Sequence, residues 1–183
     1  MYFYKYFLGM RNFSILFLLF FWSCQNSSAV QEPKIQKSEM NGVEKHNTAL
    51  ALEKISKDKV VNWKEYQLVS NNLKQFSAIS ANEALNNALK FSETVKKLKD
   101  SIRPKELLNL SFRTRVNVLE NEALRLKDMT FIPAITSNEV HTQVNKIIAA
   151  FSATNSKINT IYSQLEVEQD IVNINKSHLH HKL

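Results

Sequence analysis

The chain has 183 residues, one cysteine, two glycines and a formal net charge of +7. A single cysteine excludes an intramolecular disulfide, and the scarcity of glycine excludes a glycine-rich phosphate-binding loop. The length suits one domain, and the mild basic charge fits either background composition or an affinity for anionic lipid headgroups.

Residues 1–23 have the pattern of an export signal. Lys5 and Arg11 precede a run from Phe13 to Trp22 in which every residue except Ser14 is apolar, and polarity returns at Ser23. The run is about half of the roughly 20 apolar residues that a membrane-spanning helix needs. A basic start, a short apolar run and a small residue before the break are typical of signal peptides.

Cys24 makes this signal more specific. The stretch "FWSC" resembles the lipobox of bacterial lipoproteins at Ser23 and Cys24 and departs from it at Phe21 and Trp22. The resemblance implies that Cys24 carries a diacylglycerol and an N-acyl chain, which together hold the protein on a membrane. Two alternatives stay open: an ordinary secretory signal cleaved after "SSA" at residues 27–29, and an uncleaved anchor.

The chain as a whole resembles small helical lipoproteins of Bacteroidota, specifically at Cys24 and only in architecture from residue 48 onward. The resemblance implies a cell-envelope location but no activity. Residues 24–47 have few large apolar side chains and no periodicity, which predicts a flexible tether. Only Glu32 is acidic soon after the cysteine, so we expect the protein to face the periplasm, with the outer membrane favoured over the inner one.

Residues 48–170 predict an all-α domain. They contain no glycine, and Pro104 and Pro133 are their only prolines, so few residues interrupt a helix. Apolar periodicity predicts helices near 58–79, 81–102, 105–129 and 138–167, with a short leading helix at 47–56. Helices of similar length with short connections predict an antiparallel up-down bundle with coiled-coil-like packing. The last helix has a heptad seam: Val140, Val144, Ile147, Phe151, Thr154, Ile158, Ile161 and Leu165.

Two predicted helix starts have capping boxes, Ser80 with Glu83 and Thr136 with Glu139. Because neither glycine nor proline lies near Ser80, the first two helices could also be continuous, which would leave three helices. Pro104 is placed at the start of the third helix, where its missing N–H costs little.

The catalytic motifs that we sought are missing from the sequence, and we expect a protein that is not an enzyme and needs no cofactor. A carboxylate-bridged metal site on helices uses Glu-x-x-His. Glu44 with His46, and Glu139 with His141, are one residue too close, which on a helix would direct the two side chains to different faces. We therefore predict a non-catalytic, lipid-anchored protein that acts through protein–protein or envelope contacts.

Three residues in a predicted flexible tail, residues 171–183, are candidate metal ligands: His178, His180 and His181. Neutral imidazole is a favoured ligand of Cu²⁺ and Zn²⁺, so an envelope metal-binding protein is the alternative function.

Arg115 and Glu122 lie two turns apart on one flank of the third predicted helix. They are candidate contact residues for an unknown envelope partner, or they bridge to a neighbouring helix. Trp63 and Tyr66 are expected in the core. We expect no nucleic-acid partner, because the chain is exported and lacks basic residues interleaved with aromatic ones.

Overall fold

The computed structural model describes residues 39–180, with side chains as far as His178. This part of the chain is mostly helical, as expected for the all-α class, with five α-helices and one small sheet. The elements in chain order are a 3₁₀ turn (Glu39–Asn41), β1 (Val43–Lys45), α1 (Lys54–Val60), α2 (Lys64–Phe76), β2 (Ala78–Ser80), α3 (Ala81–Asp100), a 3₁₀ turn (Lys105–Leu107), α4 (Leu110–Met129) and α5 (Ser137–His180).

The predicted helix at 58–79 is wrong in both bounds, and of the two alternatives at Ser80 the separate helices are found rather than one continuous helix. The helix that contains residue 58 ends at Val60, α2 ends at Phe76, and the chain then forms β2. Ser80 adopts extended backbone angles, φ −84° and ψ 157°, and its side chain accepts the N–H of Glu83 while the Glu83 carboxylate accepts the N–H of Ser80. The predicted capping box is therefore present, and it separates two helices without glycine or proline.

The sheet involves residues that we predicted to belong to the tether. β1 pairs antiparallel with β2, with Val43 opposite Ser80 and Lys45 opposite Ala78. The N–H of His46 donates to the carbonyl of Ser77 at 2.9 Å, which continues the ladder by one residue. Met40 is buried. The folded domain therefore includes residues 39–47, and its predicted start at residue 48 is too late.

Residues 47–53, which we call the α5-bound segment, replace most of the short helix predicted at 47–56. The segment runs without regular secondary structure and bonds to side chains on one face of α5. Asn155 Nδ2 donates to the carbonyl of Leu50 at 2.7 Å, and Asn159 Oδ1 accepts the N–H of Glu53 at 3.0 Å. These buried amides satisfy backbone groups that would otherwise lack partners.

The core lies between the helices. α4 packs against α3 and α5, α2 packs against α3, and α1 packs against α5. The predicted seam of α5 is confirmed as buried from Val140 to Ile161, with Leu165 partly buried. Trp63 and Tyr66 are confirmed in the core.

The start of the third predicted helix is corrected. Residues Lys105–Leu107 form a 3₁₀ turn after Pro104, and α4 begins only at Leu110, where Asn109 Oδ1 accepts the N–H of Phe112. The extra turn changes the phase of the apolar residues. Leu107 is consequently buried, whereas Leu108 is about half exposed.

α5 continues well beyond its predicted end near residue 167. Its capping box, Thr136 with Glu139, is present as predicted, but the helix reaches His180. Residues 171–180, which we predicted as a flexible tail, are helical, and the apolar side chains Val167, Ile171 and Ile174 on this extension are exposed. Within residues 39–180, no helix combines the length and the apolar character required to cross a bilayer.

Candidate functional site

Three side chains that could ligate a metal ion converge where β1 meets the first turns of α5. Each of Glu44, His46 and His141 offers one ligand atom, and these atoms lie within 4.8 Å of one another. Alternate residues of a strand point to the same face, so Glu44 and His46 both face α5. His141 is buried, His46 is half-buried and Glu44 is exposed.

The two imidazoles are in direct contact. His46 Nε2 lies 3.1 Å from His141 Nδ1, and the ring centroids are 5.1 Å apart. The far nitrogen of His46, Nδ1, donates to Asn145 Oδ1 at 2.8 Å. His141 and Asn145 are four residues apart and therefore lie on the same face of α5. This bond places the proton of His46 on Nδ1 and leaves a lone pair on Nε2.

Glu44 approaches the other side of the His141 ring. Its Oε2 lies 3.7 Å from His141 Nε2, too far for a good hydrogen bond but close enough to orient the ring electrostatically. Glu44 therefore lies near Nε2 of the His141 imidazole, and His46 contacts Nδ1 of the same ring.

Burial lowers the pKa of His141 below its usual value. The Glu44 carboxylate partly opposes this effect, and the positive charge that His46 can carry adds to it. His141 is consequently neutral at pH 7, which is the form of histidine that binds a metal ion.

This group was not predicted, because Glu44 and His46 were compared with the Glu-x-x-His spacing of a helix. The spacing of Glu44 and His46 is wrong for two ligands on a helix and right for two ligands on a strand. The third member, His141, lies 95 residues from His46 in sequence. Two short patterns in the sequence are consistent with this site. They are Glu-x-His at Glu44 and His46, in a segment that forms a strand, and His-x-x-x-Asn at His141 and Asn145, on a helix.

A second concave feature, which we call the α2–α5 groove, lies between the α5-bound segment, α2 and α5. Its volume is about 640 Å³, within the range of roughly 300–1,000 Å³ that is typical of binding pockets. The lining is predominantly apolar and includes Leu73 and Phe151, while Lys57 and Lys74 supply positive charge.

Tyr66 is a buried side chain with a polar group that lines the groove. Its hydroxyl donates to Asn155 Oδ1 at 2.9 Å. Burial raises the pKa of Tyr66 well above its usual value, although the bond to Asn155 acts in the opposite direction. The phenol is therefore neutral and already hydrogen-bonded, which suits a binding surface better than proton transfer.

Cys24 and His181 lie outside the described residues. His178 is exposed on the extension of α5, and His180 is the last residue of that helix. Binding of a metal ion by these histidines stays a prediction.

Glu122 contacts α5. Its carboxylate and its backbone carbonyl both accept from Gln143 Nε2, at 2.8 and 2.9 Å. Arg115 is exposed. The arrangement of Glu122 favours the bridging alternative for that residue, and a partner contact of Arg115 stays a prediction.

Comparisons with family models, with curated protein sequences and with solved structures gave no match for this chain.

Proposed function

We propose that this protein is a non-catalytic bacterial lipoprotein. Its helical domain is held at the cell envelope by acyl chains on Cys24, faces the periplasm and acts by binding another envelope protein. The helices of this domain are proposed to form an up-down bundle. The resemblance to helical lipoproteins of Bacteroidota, carried by Cys24, supports the location only.

The observation that carries the anchor is the position of the single cysteine. Cys24 follows the end of the apolar run by two residues and is preceded by the small residue Ser23. A thiol is the acceptor for the diacylglycerol, and acyl chains contribute about 0.8 kcal/mol per buried CH₂, so stable anchoring needs more than one chain.

The α2–α5 groove is proposed as the contact surface. An apolar lining favours an apolar side chain of the partner, because removing such a surface from water is the main driving force for association. Lys57 and Lys74 favour a carboxylate nearby on the same partner. The proposed ligand is therefore a protein segment with an apolar residue next to an acidic one.

The anchor is tested by labelling cells with an alkyne-bearing fatty acid. The wild-type chain is expected to become labelled, and Cys24→Ser is expected to lose the label because no other thiol is available. Ser28→Ala is the control and keeps the label. Labelling of Cys24→Ser at the wild-type level would contradict the anchor.

The groove is tested by photo-crosslinking in cells. A photoreactive amino acid is introduced in place of Ser70, which lines the groove. In the control, the same photoreactive amino acid replaces Lys96, which is exposed. We expect a discrete adduct from position 70 that Lys74→Glu abolishes and that Lys96→Glu leaves intact. An adduct that survives reversal of both Lys57 and Lys74 would contradict the proposed charge complementarity.

A further inference from the structure

The neighbours of His46 and His141 determine which ring nitrogen of each histidine carries its proton. A neutral imidazole has one N–H and one lone pair. Asn145 Oδ1, 2.8 Å from His46 Nδ1, requires the N–H of His46 on its far nitrogen. Glu44 Oε2, 3.7 Å from His141 Nε2, favours the N–H of His141 on its far nitrogen as well. Both lone pairs then face each other across 3.1 Å.

Two facing lone pairs repel each other unless a positive centre lies between them. Placing the N–H of His141 on Nδ1 would give an ordinary hydrogen bond, but it would direct the lone pair of Nε2 at the Glu44 carboxylate. With a cation between them, His46 Nε2 and His141 Nδ1 ligate it through their lone pairs. The other two ring nitrogens, His46 Nδ1 and His141 Nε2, keep their N–H groups.

We propose that His46 Nε2 and His141 Nδ1 are the protein ligands of a divalent transition-metal ion of the Zn²⁺ or Cu²⁺ class, with Asn145 and Glu44 as positioning residues. The separation of the two nitrogens supports this assignment. Two nitrogens at about 2.0–2.1 Å from Zn²⁺ lie about 3.3–3.4 Å apart at the tetrahedral angle, so the observed 3.1 Å requires only a small adjustment.

The surroundings match those of known metal-binding histidines. A ligating histidine usually donates its other N–H to a carboxylate or a carbonyl oxygen, which fixes both the tautomer and the orientation of the ring. Asn145 has this role for His46. Glu44, 3.7 Å from His141 Nε2, orients the His141 ring through its charge and not through a hydrogen bond. The negative charge of Glu44 also offsets part of the charge of the ion, and water completes the coordination.

The elements that hold the two ligands are independent of each other in sequence. His46 is positioned by its backbone bond to Ser77 at the end of the β1–β2 ladder, and His141 is held in α5 with only 3% of its surface exposed. A metal ion would therefore link the first strand of the domain to its last helix.

The test uses the full-length chain in detergent, with Cys24→Ser and with His178, His180 and His181 changed to alanine, so that neither the thiol nor the terminal histidines compete. ZnCl₂ is titrated by calorimetry, and thermal unfolding is followed by circular dichroism. We expect one Zn²⁺ per chain and a higher melting temperature in its presence, because an ion that binds only the folded state stabilises it.

Variants in this background assign the ligands. His46→Ala is expected to abolish both the binding and the Zn²⁺-dependent rise in melting temperature. Asn145→Ala and Glu44→Gln are expected to bind about 10–100-fold more weakly, as is typical when the orienting partner of a ligand is removed. His141→Gln is the second ligand variant, and its circular dichroism without metal shows whether it folds.

The control is Lys45→Ala, because Lys45 lies between Glu44 and His46 and points to the other face of the strand. It is expected to bind Zn²⁺ as the background chain does. No binding by the background chain, or unchanged binding by His46→Ala, would overturn the assignment and leave a plain hydrogen bond between the two rings. Acylation of Cys24 is not involved, so this result is independent of the proposed anchor.

Discussion

Two buried tyrosines, Tyr66 and Tyr162, differ in whether the hydroxyl has a hydrogen-bond partner. Tyr66 donates to Asn155 at 2.9 Å. The hydroxyl of Tyr162 is buried and has no partner in good hydrogen-bond geometry within the described residues. The exposed carboxylate of Glu106 is close enough to add to the effect of burial and raise the pKa of Tyr162. Burial of a polar group without a partner costs free energy, whereas a buried hydrogen bond contributes modestly to stability.

This difference predicts effects of different size for the same substitution. Tyr66→Phe is expected to lower the free energy of unfolding by about 1–3 kcal/mol, because Asn155 Oδ1 loses its donor. Tyr162→Phe is expected to change the stability by less than Tyr66→Phe, because the exposed Glu106 carboxylate near the Tyr162 hydroxyl can bond to water instead. Urea denaturation of both variants checks this, and an equal loss of stability in both would contradict the hydrogen-bond assignment.

At the residue scale, the features that were predicted correctly depend on near neighbours in sequence. The capping boxes at Ser80 and Thr136 each join residues three positions apart, so a local pattern is sufficient to find them. The contact of His46 with His141 spans 95 residues, and it requires β1, which neither periodicity nor composition indicated.

At the element scale, the α5-bound segment depends on α5 for most of its order. Asn155 and Asn159 lie four residues apart on one face of α5 and bond to the backbone of Leu50 and Glu53. Asn159 also donates to the carbonyl of Ala51 at 3.3 Å. Side chains of a helix thus replace the neighbouring strand that would satisfy these backbone groups in a sheet.

Asn159→Ala is therefore expected to loosen this segment locally. Loss of a bond worth about 1 kcal/mol corresponds to exchange of the Glu53 amide that is faster by about 5-fold. Hydrogen-exchange mass spectrometry of peptides covering residues 47–56 measures the effect. Ser163→Ala, on exposed Ser163 of the same helix, is the control, and equal protection in both variants would contradict the role of Asn159.

The bounds of the elements show where sequence periodicity fails. The seam of α5 predicted its buried face, because burial of that face follows the helical repeat. Periodicity did not indicate the break at Val60, the 3₁₀ turn at Lys105–Leu107 or the continuation of α5 to His180. The apolar residues of the continuation, Val167, Ile171 and Ile174, are exposed and do not pack on the core.

At the scale of the whole molecule, the mostly helical fold follows from the scarcity of glycine and proline beyond residue 42. The metal site and the α2–α5 groove could not be predicted in this way. Each is formed by elements far apart in the chain, and β1 and the α5-bound segment are too short for a periodic pattern to reveal them.

The central claim of this account is that acylated Cys24 is the first residue of the mature protein. Mass spectrometry of the amino-terminal peptide, released by protease from the membrane-extracted protein, tests it most directly. We predict a peptide that begins at Cys24 and carries the mass of a diacylglycerol and an N-acyl chain. An unmodified peptide that begins at Val30, or one that still contains residues before Cys24, would contradict the claim.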